Sequence, residues 1–358
     1  MEQRVLGKTG LGVVALGFGA IKLPRVGEEE ASRALNRALD LGINFVDTAR
    51  GYRDSERKIG KALRHRRGEY LLATKTSARD ARGLRAELET SLRELQTDHV
   101  DLYQLHSVSD PQTWQRVMAP GGALEEARKA QREGLVRHVC ITMHRAVHEM
   151  EKAIDSREFE TIMVAYNPLD PERVEARVLP LARERGMGVI VMKPLSGGAL
   201  SMPAESRRPG EPDRIVAACL RFVLSNPAVS VVIPGMESAA QVEENVATVE
   251  QSAQLSAQER RELIATLGGL GKSYRYGQVC LRCGYCQPCA QGIEIPEALR
   301  ALHMAREYPV ELRRLGRELY QSLQVKASAC VACEACVEKC PAGLMIPERL
   351  KEVVAEFE

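Results

Sequence analysis

A closed (β/α)8 barrel of the TIM type, followed by a small helical cysteine-rich domain, is the fold class this sequence predicts. Three observations predict it. Short apolar runs rich in β-branched residues alternate with amphipathic runs about eight times, as a parallel sheet covered by helices requires. The chain has 358 residues, enough for a barrel of about 250 plus an appendage. Eight of its ten cysteines crowd between positions 280 and 340, leaving Cys140 and Cys219 as small core residues.

The elements follow in order. LGKTGL is turn-rich and predicts a hairpin capping the barrel bottom, and VVALGF near residue 15 reads as the first strand. EEEASRALNRALDLG has helical apolar spacing and a glycine stop, and NFVDTA is a buried strand. The cycle runs on through SERKIGKALRH, YLLATK, ARGLRAELETSLRELQ, VDLYQLH, GALEEARKAQREG, VRHVCITM, AVHEMEKAIDS and TIMVAY. VEARVLPLARERG, GVIVMK, DRIVAACLRFVLS, SVVIPG and AAQVEENVATVEQ complete it. A further helix is signalled by SAQERRELIATLGGL, with Ser256 and Glu259 as a capping box and Gly268 as a stop. KSYRYGQ reads as a linker, so the barrel is expected over 1–270 and the second domain over 271–358.

Composition narrows the function classes. Lys and Arg number 50 against 48 Asp and Glu, so no global charge points to nucleic acid or an anionic membrane. Aromatics are 4%, too few for a base-stacking platform. MEQRVLGKTG lacks the apolar run of a signal peptide, and no stretch approaches the ~20 apolar residues of a membrane span. A cytoplasmic chain is expected, and in a reducing compartment clustered cysteines favour metal over disulfide.

The second domain repeats itself. CLRCGYCQPCAQGIEIPEALR, from Cys280, echoes CVACEACVEKCPAGLMIPERL, from Cys330, with the first three cysteines 50 positions apart and the fourth 51. LRRLGRELYQSL is expected as a helix between the copies. The second copy is C-x2-C-x2-C-x3-C-P, the bacterial ferredoxin run for a [4Fe–4S] cubane, in which the fourth cysteine serves the other cluster. The spacing therefore assigns Cys280, Cys283, Cys286 and Cys340 to one cluster, and Cys330, Cys333, Cys336 and Cys289 to a second. Two zinc sites or a disulfide knot are the alternatives, but zinc usually takes two separated CxxC pairs.

In a barrel of this kind the chemistry gathers at the C-terminal ends of the strands. Those positions hold Asp47, Tyr52 just beyond it, Lys75 and His106. A lone histidine or lysine there is commonly structural; four titratable groups after three successive strands converge on one mouth. An ammonium beside a phenol favours the phenolate, an aspartate holds the ammonium in place, and a neutral histidine can orient a carbonyl oxygen. Such a site protonates an oxygen while hydride reaches its carbon.

On FVDTARGYRDSE, LLATK, DLYQLH and IPG…QVEEN the barrel resembles the aldo-keto reductase family, over roughly residues 1–270. With its tail the chain resembles the subgroup that ends in a ferredoxin-like domain carrying two [4Fe–4S] clusters. The resemblance implies Tyr52 as general acid, tuned by Lys75 and Asp47, with His106 positioning a small-molecule carbonyl substrate. It implies an NAD(P)H site over Gly19, Ala20, Ile21, Asn167, Leu195, Ser196, Gly197 and Gly198, and over Gly235 to Asn245, including Glu237, Gln241 and Glu244. Departures from the family stand at Thr142-Met143-His144, where Ser-Asn is common, at Met163 in place of a glutamine, and at Met192-Lys193 in place of a stacking aromatic. Glu237 would repel a 2′-phosphate and accept from a free hydroxyl, an expectation of NADH over NADPH.

The clusters move single electrons, whereas nicotinamide gives two as hydride. A second reading is therefore an electron-transfer enzyme fed by a ferredoxin-like redox partner. It would be served by a flavin, for which no G-x-G-x-x-G fingerprint is visible. A third makes the tail a structural or redox-sensing module. Substrate identity and oligomeric state are not written in the sequence. The loop SMPAESRRPGEP, with Arg207 and Arg208, is the candidate for shaping a substrate pocket.

Overall fold

The structure is a computed structural model that describes residues 1–144, 146–201, 213–251, 255–268, 279–308 and 310–358. The expected linker, the 270/271 boundary and the Arg207–Arg208 loop lie outside the described residues. Contacts divide the chain into two units, Met1–Pro194 with Val216–Arg260, and Leu195–Ile215 with Arg261–Glu358.

In the first unit β1 (Gln3–Val5) and β2 (Gly12–Val14) form an antiparallel hairpin. Its turn donates from Lys8 N to Gly186 O at 2.7 Å, beside the start of a barrel strand, so the expected hairpin does cover the N-terminal end. Eight parallel strands follow in sequential order: β3 (Phe18–Gly19), β4 (Phe45–Asp47), β5 (Leu71–Thr76), β6 (Val100–Leu105), β7 (Val136–Met143), β8 (Thr161–Ala165), β9 (Gly188–Met192) and β10 (Val231–Ile233). Parallel bridges Leu16↔Val232 and Gly19↔Gly235 close the sheet into a barrel. At that seam a Cβ on Gly19 would stand 2.8 Å from two carbonyl oxygens, those of Ile233 and Pro234, so closure needs a glycine there.

Two readings need correction. VVALGF is not one strand: Val13 and Val14 pair in the hairpin, and only Phe18 and Gly19 pair with β4. VEARVLPLARERG is not one helix but two, Glu172–Glu175 and Val178–Glu184, parted at Arg177. Pro180 explains the break, because its ring clashes with the carbonyl four residues back and a helix tolerates it only in the first turn. The reading also passed over a helix at Pro111–Met118, whose start is written in Asp110, which caps Thr113 N at 2.8 Å, and in the proline after it. The capping box forms as expected: Ser256 N donates to Glu259 Oε2 at 2.8 Å, and Glu259 N to Ser256 Oγ at 3.2 Å.

The second unit packs helices Ile295–Glu307, Arg314–Ser322 and Ile346–Phe357 around Leu281, Ile293, Leu299, Leu323, Leu344 and Leu350. The two halves of its repeat fold alike. Gly292 N donates to Cys289 O at 2.9 Å and Gly343 N to Cys340 O at 3.0 Å, and each turn runs into a helix with proline at its start. Among the described residues no helix is long and apolar enough to cross a membrane.

Candidate active site and cluster centre

Strand register sets the mouth of the barrel. Asp47 ends β4, Lys75 stands near the end of β5, and His106 follows β6. The pairings Asp47↔Ala73 and Lys75↔Gln104 hold their backbones level. Lys75 Nζ donates to Asp47 Oδ2 at 2.6 Å and to Thr48 O at 2.7 Å, while Gln104 Nε2 donates to Asp47 Oδ1 at 2.8 Å. The Lys75 ammonium lies 5.0 Å from the Tyr52 ring centroid, and the Tyr52 and His106 rings meet edge-on at 6.0 Å. The four predicted residues thus come together, on the rim the sequence indicated.

Burial decides the protonation states. Asp47, Lys75 and His106 are almost wholly buried. Burial pushes the Asp47 carboxyl up, against the pull of Lys75 and Gln104. Burial alone would strip Lys75 of its proton, but the Asp47 carboxylate and the Tyr52 hydroxyl outweigh it, and the lysine pKa is raised. His106 is held well below the ordinary histidine range, first by burial and then by Lys75, Arg79 and Lys193. A neutral imidazole and a charged ammonium therefore flank the phenol at neutral pH.

Two supporting residues were missed. Gln104, on β6, precedes His106 by two, and a two-residue period puts both on one face, so the signal was present. Arg79, which donates to His106 O at 2.6 Å, sits in a loop where nothing local marks it.

The residues named for a cofactor fall into separate groups. Gly19, Ala20 and Ile21 adjoin Gly235, with Gly19 N on Pro234 O at 3.0 Å and Met236 N on Gly19 O at 3.2 Å. A Cβ on Gly235 would reach the Ile21 and Lys22 side chains at 3.3 and 3.4 Å, so glycine lets these two side chains pack close against the backbone. Glu237 Oε1 forms an ion pair with Lys22 Nζ at 3.9 Å, which partly offsets its charge, and Gln241 Oε1 receives the Glu237 N–H at 3.0 Å. Asn245 is buried and Glu244 shares its helix, Ala239–Gln251.

Thr142, Asn167, Met192 and Lys193 form a second group, from β7 to the end of β9. Thr142 Oγ1 accepts from Ser107 N at 2.8 Å, and Asn167 donates to Lys193 O at 3.2 Å and receives the Leu169 N–H at 3.0 Å. Lys193 Nζ lies 3.2 Å from His144 Nδ1, whose ring is 6.3 Å from that of His106. Leu195, Ser196, Gly197 and Gly198 belong to the second unit. There Arg282 Nε donates to Gly197 O at 3.0 Å, and a Cβ on Gly197 would press on the Leu281 backbone at 2.5 Å.

The eight cysteines sort around two spaces in the second unit. Cys289, Cys330, Cys333 and Cys336 line a cavity of about 360 Å³, with Cys286 at its edge. Cys280, Cys283, Cys286 and Cys340 line a tighter one with Leu281, Leu299 and Leu344. These are the two sets read from the spacing, the fourth cysteine of each run crossing to the other. The donor set fits a pair of iron–sulfur cubanes: all-thiolate, four to a site, and spread around a space. Zinc would draw its sulfurs to about 2.3 Å from a single point. Among the described residues no three His, Cys, Asp or Glu converge in that way.

The chain is similar to known proteins over most of its length. The sequence model of the aldo/keto reductase family matches residues 15–215, and that of a 4Fe-4S dicluster domain matches 279–345. L-galactose dehydrogenase of Arabidopsis thaliana is 32% identical over 287 residues, spanning 70% of this chain and 88% of that protein. The uncharacterized oxidoreductase YrpG of Bacillus subtilis is 30% identical over 308 residues, 70% of this chain and 92% of that protein. The holo form of an aldo-keto reductase from Bacillus halodurans superposes with a TM-score of 0.62 at 30% identity, covering 77% of this chain and 99% of that one. An aldo-keto reductase from Klebsiella pneumoniae, solved in complex with NADPH, shares the fold with a TM-score of 0.62 at 23% identity, covering 75% and 96%. The chain belongs to the aldo/keto reductase family of oxidoreductases and ends in a 4Fe–4S dicluster domain.

Proposed function

We propose that the barrel reduces the carbonyl of a small aldehyde or ketone with NAD(P)H, Tyr52 serving as general acid. The observation that carries this reading is the buried Lys75–Asp47 pair at 2.6 Å beside the Tyr52 ring, with a neutral His106 facing it. His106 can donate to the carbonyl oxygen and fix it between imidazole and phenol. As charge develops on that oxygen, Tyr52 delivers its proton, and the phenolate left behind is stabilised by the Lys75 ammonium. Asp47 keeps that ammonium charged and aimed.

The nicotinamide supplies hydride when bound. Gly19, Ala20, Ile21 and Gly235, brought together at the barrel seam, are the candidates for holding it, and Thr142, Asn167, Met192 and Lys193 are the further candidates. A known relative of the same fold binds NADPH. Glu237 favours NADH, in a balance that Lys22 narrows.

Tyr52→Phe tests the proposal. Aldehyde reduction by NADPH and NADH should lose about 10²–10⁴ in kcat, with cofactor affinity within about twofold. A kcat close to wild type would remove the phenol from the mechanism.

In the second unit Cys280, Cys283, Cys286 and Cys340 hold one [4Fe–4S] cluster, and Cys330, Cys333, Cys336 and Cys289 the other. A second reading, in which single electrons from a redox partner drive the chemistry, is favoured by Met163 and Met192. Both are buried where an amide and an aromatic would serve nicotinamide. Turnover with dithionite but not with NAD(P)H, or a flavin extracted from the protein, would select it.

A further inference from the structure

The mouth of the barrel carries a second polar pair, from strands that supply none of the four catalytic groups. His144 follows β7 and Lys193 follows β9. Lys193 Nζ stands 3.2 Å from His144 Nδ1, and the His144 ring lies 6.3 Å from the His106 ring, which meets Tyr52 at 6.0 Å. Tyr52, His106, His144 and Lys193 are thus successive neighbours, with the acid at one end and a cation at the other. An ammonium only donates, so His144 accepts through Nδ1 and carries its proton on Nε2.

Both residues are held in place. His144 is 3% exposed; its N–H donates to Ser109 Oγ at 2.9 Å, and its carbonyl accepts from Arg173 Nη1 at 3.4 Å. Lys193 has a φ of 58°, a left-handed backbone ordinarily left to glycine, and Asn167 Nδ2 donates to its carbonyl at 3.2 Å. A long side chain kept at a strand end against that preference points to a use for the side chain. The charges that reach His106 are all positive, from Lys75, Arg79 and Lys193, and Asp47 balances the first of them.

We propose that Lys193 and His144 form the seat of a substrate carboxylate, so that the carbonyl compound taken by the barrel is a 2-oxo acid. The inference rests on the carbonyl-reduction reading and narrows it to a substrate class. Spacing selects that class. A hydrogen-bonded oxygen lies about 4 Å from the centre of an imidazole ring, so rings 6.3 Å apart can each hold one of two oxygens about 3 Å apart. The keto and carboxylate oxygens of a 2-oxo acid are such a pair. An ammonium has three donors, so Lys193 can serve the carboxylate as well as His144. Lys193 also stands among the cofactor candidates, but its contact with His144 and its charge on His106 favour the substrate. In the step the keto carbon gains the hydride of NAD(P)H, its oxygen gains the Tyr52 proton, and solvent returns a proton to the phenolate. R–CO–COO⁻ with NAD(P)H and H⁺ gives R–CHOH–COO⁻ and NAD(P)⁺, the carboxylate unchanged.

Pyruvate and phenylglyoxylate, each paired with its uncharged methyl ester, are the probes, with full-length protein and with NADH and NADPH both supplied. Wild type should reduce at least one of the acids. Lys193→Met should lower the acid-to-ester ratio of kcat/KM about 10–100-fold, His144→Leu about tenfold, and Lys193→Arg should keep most of it. Dividing by the ester removes any effect common to both substrates, a weakened cofactor site included. Oxamate, a 2-oxo acid mimic that accepts no hydride, should bind Lys193→Met at least about tenfold more weakly than wild type by isothermal titration. The proposal is overturned if wild type reduces the esters but neither acid, or if Lys193→Met leaves the ratio unchanged, as a cofactor residue would. Equal oxamate affinity in wild type and Lys193→Met overturns it too. In each of these failures a simple aldehyde that wild type still reduces keeps the carbonyl reading standing. Loss of aldehyde, ester and acid reduction together would instead remove that reading, and the 2-oxo acid with it.

Discussion

The barrel mouth and the cysteine repeat hold reactive groups in opposite ways. Asp47, Lys75 and His106 ride on strands whose register is fixed by backbone ladders and by a core fully withdrawn from water, so their geometry exists before any ligand arrives. Seven of the eight cysteines ride on irregular segments and Cys336 on the short helix Ala335–Glu338, with left-handed backbone at Arg282, Ala332 and Glu334, each costing about 1–2 kcal/mol for a side-chain-bearing residue. Such turns are adopted because wrapping three thiolates around one cluster demands them, so metal binding there is also folding. One site is organised by its scaffold, and the other organises its own scaffold.

Removing a partner at the mouth should have the largest effect. Lys75→Met should cost about 10²–10⁴ in kcat and, by leaving the Asp47 carboxylate buried and unpaired, about 3–5 kcal/mol of stability. Asp47→Asn added to it should restore most of the melting temperature and none of the rate. If the double variant recovers activity, the ammonium is structural.

Next in size, Cys336→Ser should lower iron from about eight to about four per chain and reduce the melting temperature, while Tyr52-dependent reduction stays within about twofold. An equal loss of reductase activity would show that the two regions are not independent in function.

The pH dependence is smaller. His106 is depressed in the folded protein, so the unfolded chain takes up a proton that the folded one refuses. Stability is fully present above the unfolded value near 6.5 and is lost as pH falls from there toward the folded pKa, at up to about 1.4 kcal/mol per pH unit. Melting temperatures between pH 7 and 5 should therefore fall less steeply in His106→Gln than in wild type; identical slopes would mean that His106 takes up its proton in the fold as readily as in the unfolded chain.

Smallest of all, Ser256→Ala removes one half of the capping box and should cost about 1 kcal/mol, read as a drop of about 2–4 °C in melting temperature. Activity and iron content should not follow it.

Much of this was legible from the sequence for identifiable reasons. Strand interiors such as GVIVM and TIMVAY are apolar on both faces, as a doubly covered parallel sheet requires, and the ends of LLATK and VDLYQLH hold Lys75 and His106. Cysteine steps of three paired Cys340 with the first run and Cys289 with the second, as the two cavities are lined. Other features rest on distant contacts. Arg79 reaches the His106 carbonyl from a loop with no pattern, and β3 shrinks to two residues because Val13 and Val14 are claimed by the hairpin.

By itself the sequence determined the alternation of elements, the ends of the strands that carry chemistry, and which thiolates can share a cluster. Each of these follows from periodicity or from short fixed spacing, which the local chain cannot escape. Only the tertiary structure decided that Leu281 is buried, that Glu237 has Lys22 beside it, and that His106 is kept neutral. Burial and charge pairing depend on which remote segments arrive at a residue, and nothing in its own neighbourhood records their arrival.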